Sequence, residues 1–173
     1  EDISLAAGIE NQHGWNTGVA LIDINGDGWT DIYICRSGDT NPDNRKNLLY
    51  INNRDQTFTE NAASYGLDDT GYSTHAAFFD YDKDGDLDMF LLNHSIHYFA
   101  VDNEFSKLKN RTDKEFGSKL YQNNNNVFVN VSEKAGIVSN IISFGLGVAV
   151  GDINNDGWPD IYVSNDFKEQ DYL

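Results

Sequence analysis

Apolar residues along the chain fall in short runs separated by loops rich in Asp, Asn and Gly. "TGVALI" and "IYIC" flank residues 23–31, "AAFF" and "MFLL" flank 80–88, and "GVAV" and "IYVS" flank 152–160. Short β-branched and aromatic runs with turn residues at both ends predict antiparallel hairpins. A second hairpin follows the first: "LLYIN" and "FTEN" lie on either side of the polar turn NNRDQ. The stretch 47–67 then recurs at 118–137. Leu49, Tyr50, Asn52, Asn53 and Phe58 fall on Leu120, Tyr121, Asn123, Asn124 and Phe128. "AAGI" at 6–9, "SYGL" at 64–67 and "KAGI" at 134–137 mark the ends of successive units.

Four short strands per recurring unit predict an all-β fold of β-propeller blades, each of four antiparallel strands with an acidic hairpin loop. The whole chain, 1–173, reads as one propeller segment. Residues 1–9 end a preceding blade, and 10–67 form a blade unit with loop 23–31. Residues 68–137 form the next, with loop 80–88 and an insertion at 93–117. Residues 138–173 begin a further blade with loop 152–160. Two full units and a split third are too few for an ordinary ring, so a place in a larger propeller of about seven blades is expected. The edge strands would otherwise stand open, which calls for the rest of the propeller or a covering partner chain. The insertion reads as a long surface loop with one helical turn, because Phe105, Leu108 and Phe116 are too sparse for a longer helix.

Composition narrows the partners. The formal charge of −16 argues against nucleic acid, whose phosphates require Lys and Arg, and favours cations. Cys35 is the only cysteine, which excludes an internal disulfide and a thiolate metal site; inside an apolar run it reads as a small core side chain. No apolar run approaches the ~18 residues of a membrane-spanning helix.

Much of the negative charge sits in the three loops, each of the form D-x-[DN]-x-D-G-x-x-D. Positions 1, 3, 5 and 9 bring side-chain oxygens to one point, the Gly at position 6 turns the chain, and position 7 offers a backbone carbonyl. The candidate ligands are Asp23, Asn25, Asp27, Trp29 (carbonyl) and Asp31; Asp80, Asp82, Asp84, Asp86 (carbonyl) and Asp88; and Asp152, Asn154, Asp156, Trp158 (carbonyl) and Asp160. Carboxylates ~4 Å apart repel by roughly 4 kcal/mol per pair at an effective dielectric near 20. The loops therefore make physical sense around a cation. The all-oxygen donor set suits Ca²⁺, about three ions in all, better than the stricter octahedron of Mg²⁺. An EF-hand would need Glu at position 12 and helical flanks, whereas position 12 is Ile34, Leu91 and Val163 between strands. Asx-rich turns without metal are the plain alternative. Asn25 and Asn154 make their loops the weaker sites.

These motifs resemble FG-GAP repeats of integrin-α-like propellers, also described as VCBS-type. "KLYQNNNNVFVNVSEKAGI" and "GLGVAVGDINNDGWPDIYVSNDF" bring the chain closest to ASPIC/UnbV and cartilage-acidic-protein-like repeat proteins. The resemblance implies Ca²⁺ in the blade loops of a secreted or cell-surface protein, commonly on the bacterial outer surface.

The expected function is a non-catalytic binding or scaffold module whose partner is another protein or a surface glycan. The alternative is a propeller-type polysaccharide lyase or hydrolase with a site near the insertion, drawing on His75, His94, His97 and Tyr98. His13 and His75 are expected just before strands, in structural roles. Trp15, Trp29, Trp158, Tyr72 and Tyr98 are candidates for recognition through exposed aromatics. Trp29 and Trp158 share one loop position, which favours packing between blades. N-H-S at 93–95, N-R-T at 110–112 and N-V-S at 130–132 fit the N-glycosylation pattern.

Overall fold

The alternation around each acidic loop produces ten strands among the residues that the computed structural model describes, 2–9, 13–96, 107–166 and 169–173. The first unit holds β1 (Trp15–Ile22), β2 (Asp31–Ser37), β3 (Leu48–Asn52) and β4 (Phe58–Glu60), followed by one helical turn, α1 (Ala62–Tyr65). The second holds β5 (Ser73–Phe79), β6 (Asp88–Asn93), β7 (Lys119–Asn123) and β8 (Phe128–Asn130). The third holds β9 (Gly145–Gly151) and β10 (Asp160–Asn165). Each full unit is an antiparallel meander in chain order, and β9 pairs with β10. This is an all-β fold of propeller blades. The first hairpin closes in one register three times: Ile22 opposite Asp31, Phe79 opposite Asp88, and Gly151 opposite Asp160.

The sheet of the second unit is packed on both faces, by the first unit on one side and the third on the other. One core lies between the first two units: Ile24, Tyr33, Cys35 and Leu49 from the rear of the first meet Ala76, Met89, Leu91 and Tyr121 from the front of the second. Tyr33 and Phe78 meet edge to face at 5.5 Å, a geometry that adds ~0.5–1.5 kcal/mol to the area buried. The next core repeats the scheme one unit on. Phe90, Leu92 and Leu120 from the rear of the second unit meet Val148, Ile161 and Val163 from the front of the third.

Hydrogen bonds stitch the same seams. Thr17 in β1 donates its hydroxyl to the Ser73 carbonyl of the next unit at 2.6 Å and lies 3.1 Å from the Cys35 carbonyl. Thr74 in β5 repeats this on Gly145 and Leu92, at 3.3 Å each. The residue at that place in β9 is Leu146, which is exposed.

The unit ends dock in a repeated way. The Phe58 N–H donates to the Ala7 carbonyl at 2.8 Å, so residues 2–9 lie along β4. Gly8 and Gly66 hold equivalent places: a Cβ on Gly8 would lie 2.8 Å from the Phe58 carbonyl oxygen, and one on Gly66 2.7 Å from that of Phe128 in β8. On the side away from the acidic loops, buried Arg45 ties several segments together. Its guanidinium donates to the carbonyls of Thr70 at 2.9 Å and Asp39 at 2.7 Å, pairs with Glu115 at 3.2 Å, and covers the Tyr72 ring.

Three expectations change. The insertion is not all surface loop: Phe116 is buried and stacks on Tyr72 at 5.1 Å, and Tyr72 donates its N–H to the Glu115 carbonyl. Apolar contact with a segment distant in sequence buries Phe116. His75 lies inside β5 opposite Leu92 rather than before it. Tyr72 is buried beneath Arg45 and is not an exposed recognition aromatic.

Candidate metal centre

The acidic loops are tight turns whose carboxylates first organise their own backbone. In loop 23–31 both Asp23 Oδ1 and Asn25 Oδ1 accept from the Asp27 N–H, at 2.9 and 3.0 Å, and Asp23 Oδ2 accepts from the Gly28 N–H at 2.8 Å. Loop 152–160 does the same with Asp152 and Asn154 on the Asp156 N–H, and Asp152 on the Gly157 N–H. In loop 80–88 Asp80 holds the N–H groups of Asp84 and Gly85, both at 3.1 Å. The position-7 residues Trp29, Asp86 and Trp158 donate their N–H to Asp27, Asp84 and Asp156. Gly28, Gly85 and Gly157 take φ of 86°, 98° and 87°, a region that a side chain rarely enters. Position 4, which the sequence reading left out, is left-handed too, at Gly26, Lys83 and Asn155.

Position 9 is the anchor. Asp31 is buried; it accepts from the Ile24 N–H at 3.1 Å and the Asn52 N–H at 2.8 Å. Asp88 accepts from the Tyr81 N–H at 2.9 Å and the Asn123 N–H at 2.8 Å. Asp160 accepts from the Ile153 N–H at 2.8 Å. These carboxylates join the first loop to the first hairpin, and Asp31 and Asp88 also reach the third strand.

Loop 80–88 differs from the other two. Ligand oxygens of Asp80, Asp82 and Asp88 lie within 4.8 Å of one another. Asp82 Oδ2 accepts from the Gln122 side chain at 2.6 Å. Asp82 Oδ1 and Asp86 Oδ1 are buried without a hydrogen-bond partner. Burial pushes the Asp88 carboxyl up to about 6, against the pull of the Asn123 and Tyr81 N–H groups, and the charges of Asp82 and Asp86 push the same way. Burial and then the Asp84 charge raise Asp86. Orphaned buried carboxylate oxygens are costly, and a divalent cation relieves them. The Asp80, Asp82 and Asp88 oxygens could hold such an ion; the Asp86 carboxylate, of which the sequence reading used only the backbone carbonyl, feels the charges of Asp84, Asp82 and Asp80.

Loop 23–31 already has a cation of its own. Arg54, from the turn between β3 and β4, pairs with Asp27 at 3.0 Å and lowers its carboxyl. The matching place in the second unit is Asn125. Sequence reading missed Arg54 and Gln122 because both come from the second hairpin, across the sheet from the motif they serve.

The remaining candidates lie elsewhere. His94 pairs with Phe144 in an isolated bridge, ring against ring at 5.4 Å. His97 and Tyr98 fall outside the described residues. Trp29 is half exposed, and Trp158 carries the Lys83 ammonium of the neighbouring loop over its ring at 4.1 Å. That contact does link adjacent units, on the rim and not in a core. Asn93 is fully buried and donates to the Gly117 carbonyl at 3.0 Å, so the 93–95 sequon is closed to modification in the folded chain. Asn110 and Asn130 are exposed.

A family model described as FG-GAP-like repeat matches residues 23–91 and 111–163. These stretches span the three acidic loops and, apart from β1 and the last two residues of β6, the strands of both four-stranded sheets. No curated protein matches the chain.

Proposed function

The chain belongs to the FG-GAP-like repeat family and is a β-propeller-type module, and from that premise we propose that it is a calcium-stabilised, non-catalytic binding or scaffold segment working at the cell surface or outside the cell. Within the family its repeats read closest to the ASPIC/UnbV and cartilage-acidic-protein-like type. The observation that carries the calcium reading is the second loop, where Asp80, Asp82 and Asp88 converge and buried oxygens of Asp82 and Asp86 lack partners.

Calcium's part is structural. Bound by loop 80–88, it neutralises the crowded carboxylates and leaves Asp88 free to hold the third strand through Asn123. Loops 23–31 and 152–160 offer the same oxygen positions with Asn in the third place, and are the weaker sites. A ligand present at 100 times its Kd stabilises the folded state by ~2.7 kcal/mol per site. Millimolar extracellular calcium supports sensor-grade and weaker sites alike, and resting cytosol does not. Another protein or a surface glycan is the partner that such a scaffold would present itself to. Among the described residues no helix is long and apolar enough to cross a membrane.

Thermal unfolding with calcium titrated against chelator, with magnesium as control, tests the reading. A rise of several degrees with Ca²⁺ and little with Mg²⁺ is expected. An unchanged melting temperature would remove the calcium assignment.

A further inference from the structure

Asn25 and Gly26, in the turn of the first acidic loop, are the one Asn-Gly pair of the chain. The matching pairs in the other loops are Asp82-Lys83 and Asn154-Asn155. The second residue of each pair is left-handed, with φ of 68° at Gly26, 63° at Lys83 and 60° at Asn155. Two of the three loops thus make this turn with a side chain, and a Cβ on Gly26 would meet nothing within 4 Å. The turn does not require glycine there. What glycine does at 26 is leave the peptide nitrogen uncovered, open to close approach.

Hydrogen bonding sets the same pair apart. Asn25 Oδ1 accepts from the Asp27 N–H at 3.0 Å, which folds the carboxamide back over the Gly26 peptide and polarises its carbon. The Gly26 N–H donates to no acceptor among the described residues, and Gly26 is exposed. The three Asp-Gly pairs that follow in the loops lack this freedom. The N–H groups of Gly28, Gly85 and Gly157 are held by the carboxylates of Asp23, Asp80 and Asp152, at 2.8, 3.1 and 2.8 Å.

We infer that Asn25 is a site of spontaneous deamidation, with the Gly26 nitrogen as nucleophile. That nitrogen loses its proton to water and attacks Cγ of Asn25. The new N–Cγ bond replaces the Cγ–Nδ2 bond, Nδ2 takes up a proton and leaves as ammonia, and a five-membered succinimide results. Water then opens the ring on one side or the other. Cleavage between the nitrogen and Cγ gives aspartate at 25; cleavage between the nitrogen and the backbone carbonyl carbon gives isoaspartate. One water enters, one ammonia leaves, and nothing is oxidised or reduced. Either product adds one negative charge to the −16 of the chain. The aspartyl product carries carboxylates at positions 1, 3, 5 and 9, the pattern of loop 80–88. The isoaspartyl product adds a methylene to the backbone of the turn and displaces the oxygen at position 3. The deamidation stands without a metal; the tighter calcium site that the aspartyl form makes rests on the calcium reading proposed above.

Ageing the folded 173-residue chain in warm, mildly alkaline buffer, followed by peptide mapping with mass spectrometry, tests the chemistry. The peptide holding Asn25 is expected to gain the mass difference between a carboxyl and a carboxamide and to split into two peaks, one of them a substrate for isoaspartyl methyltransferase. The peptide holding Asn154 is expected to lag behind it. Gly26→Asn gives the loop the Asn-Asn pair of 154–155 and should stop the conversion, with circular dichroism confirming that the variant is folded. Asn25 left intact in the folded chain, over a period in which the urea-unfolded chain converts it, overturns the inference. So does conversion of Asn154 as fast as that of Asn25. Isothermal titration of Asn25→Asp with Ca²⁺ tests the consequence, and one site tighter than in the parent is expected. An unchanged isotherm, with the parent still binding Ca²⁺, overturns the gain in affinity. An absence of binding in both overturns the calcium reading itself, while the peptide map decides the deamidation independently.

Discussion

Gly66 and Gly136 hold the same place at the ends of successive units, with φ of 73° in both. Substitution by Ala imposes the same left-handed strain on each, roughly 1–2 kcal/mol. Their surroundings differ. A methyl on Gly66 would lie 2.7 Å from the Phe128 carbonyl oxygen of the next unit, and on Gly136 it would meet nothing within 4 Å. The obstacle at Gly66 is the backbone of β8, which cannot move without disturbing its pairing with β7. Forced overpacking of this kind adds typically 1–3 kcal/mol. Gly136→Ala is therefore expected to lose about 1–2 kcal/mol and Gly66→Ala about 2–5 kcal/mol, the sum of the two effects. For a chain of this length each kcal/mol lowers the melting temperature by ~2–4 °C. Calorimetry of both variants at one fixed calcium concentration measures the difference, and the shared φ cancels the backbone strain. Equal losses at the two sites would refute the view that unit ends are wedged against the following sheet.

Asp82→Ala is expected to abolish most of the calcium-dependent rise in melting temperature, whereas Asn154→Ala removes a smaller share; isothermal titration checks the count of ions. In chelator, Asp88 with its carboxyl pushed up to about 6 binds its proton more readily folded than unfolded. The parent should thus gain stability relative to Asp88→Asn as pH falls from about 7 to 5, and a gain in the other direction contradicts the burial of that charge. Thr17→Val and Thr74→Val each remove one hydroxyl donor from a seam and should cost about 0.5–1.5 kcal/mol, measured by urea unfolding. Arg45→Met strips donors from the Thr70 and Asp39 carbonyls and is expected to cost roughly 1–3 kcal/mol, with earlier proteolytic cleavage near Glu115 as its local sign.

The hairpins were legible because their signal is local: apolar alternation stops at an Asp-Gly loop, and the two strands it joins are neighbours in the chain. The identity of the core was legible for the same reason, since Tyr33, Leu49 and Leu91 occupy repeated places. What the sequence could not reveal was which polar residues reach across. Arg54 serves Asp27 from the turn of the second hairpin, at the same end of the sheet, Gln122 serves Asp82, and Asp86 has a buried carboxylate oxygen where the motif demands only a carbonyl. Arg45 reads as a surface charge in a polar loop, yet three segments, at 39–40, 70–72 and 115, close over it, and Phe116 stacks on Tyr72 beside it. Such contacts depend on how strands far apart in the chain are laid side by side, and no local periodicity encodes them.

The threonine stitches set an order of opening. In a row of repeats, each unit is held mainly by its neighbours, so cooperativity depends on the seams. The first seam has Thr17 on Ser73 and the second has Thr74 on Gly145, while β9 offers Leu146 at that place. Amide protons of β6, flanked by paired strands and by both cores, should exchange only with global unfolding, and those of β9 and β10 through smaller, earlier excursions. The single replacement of a hydroxyl by an isobutyl group thus marks where the molecule loosens first.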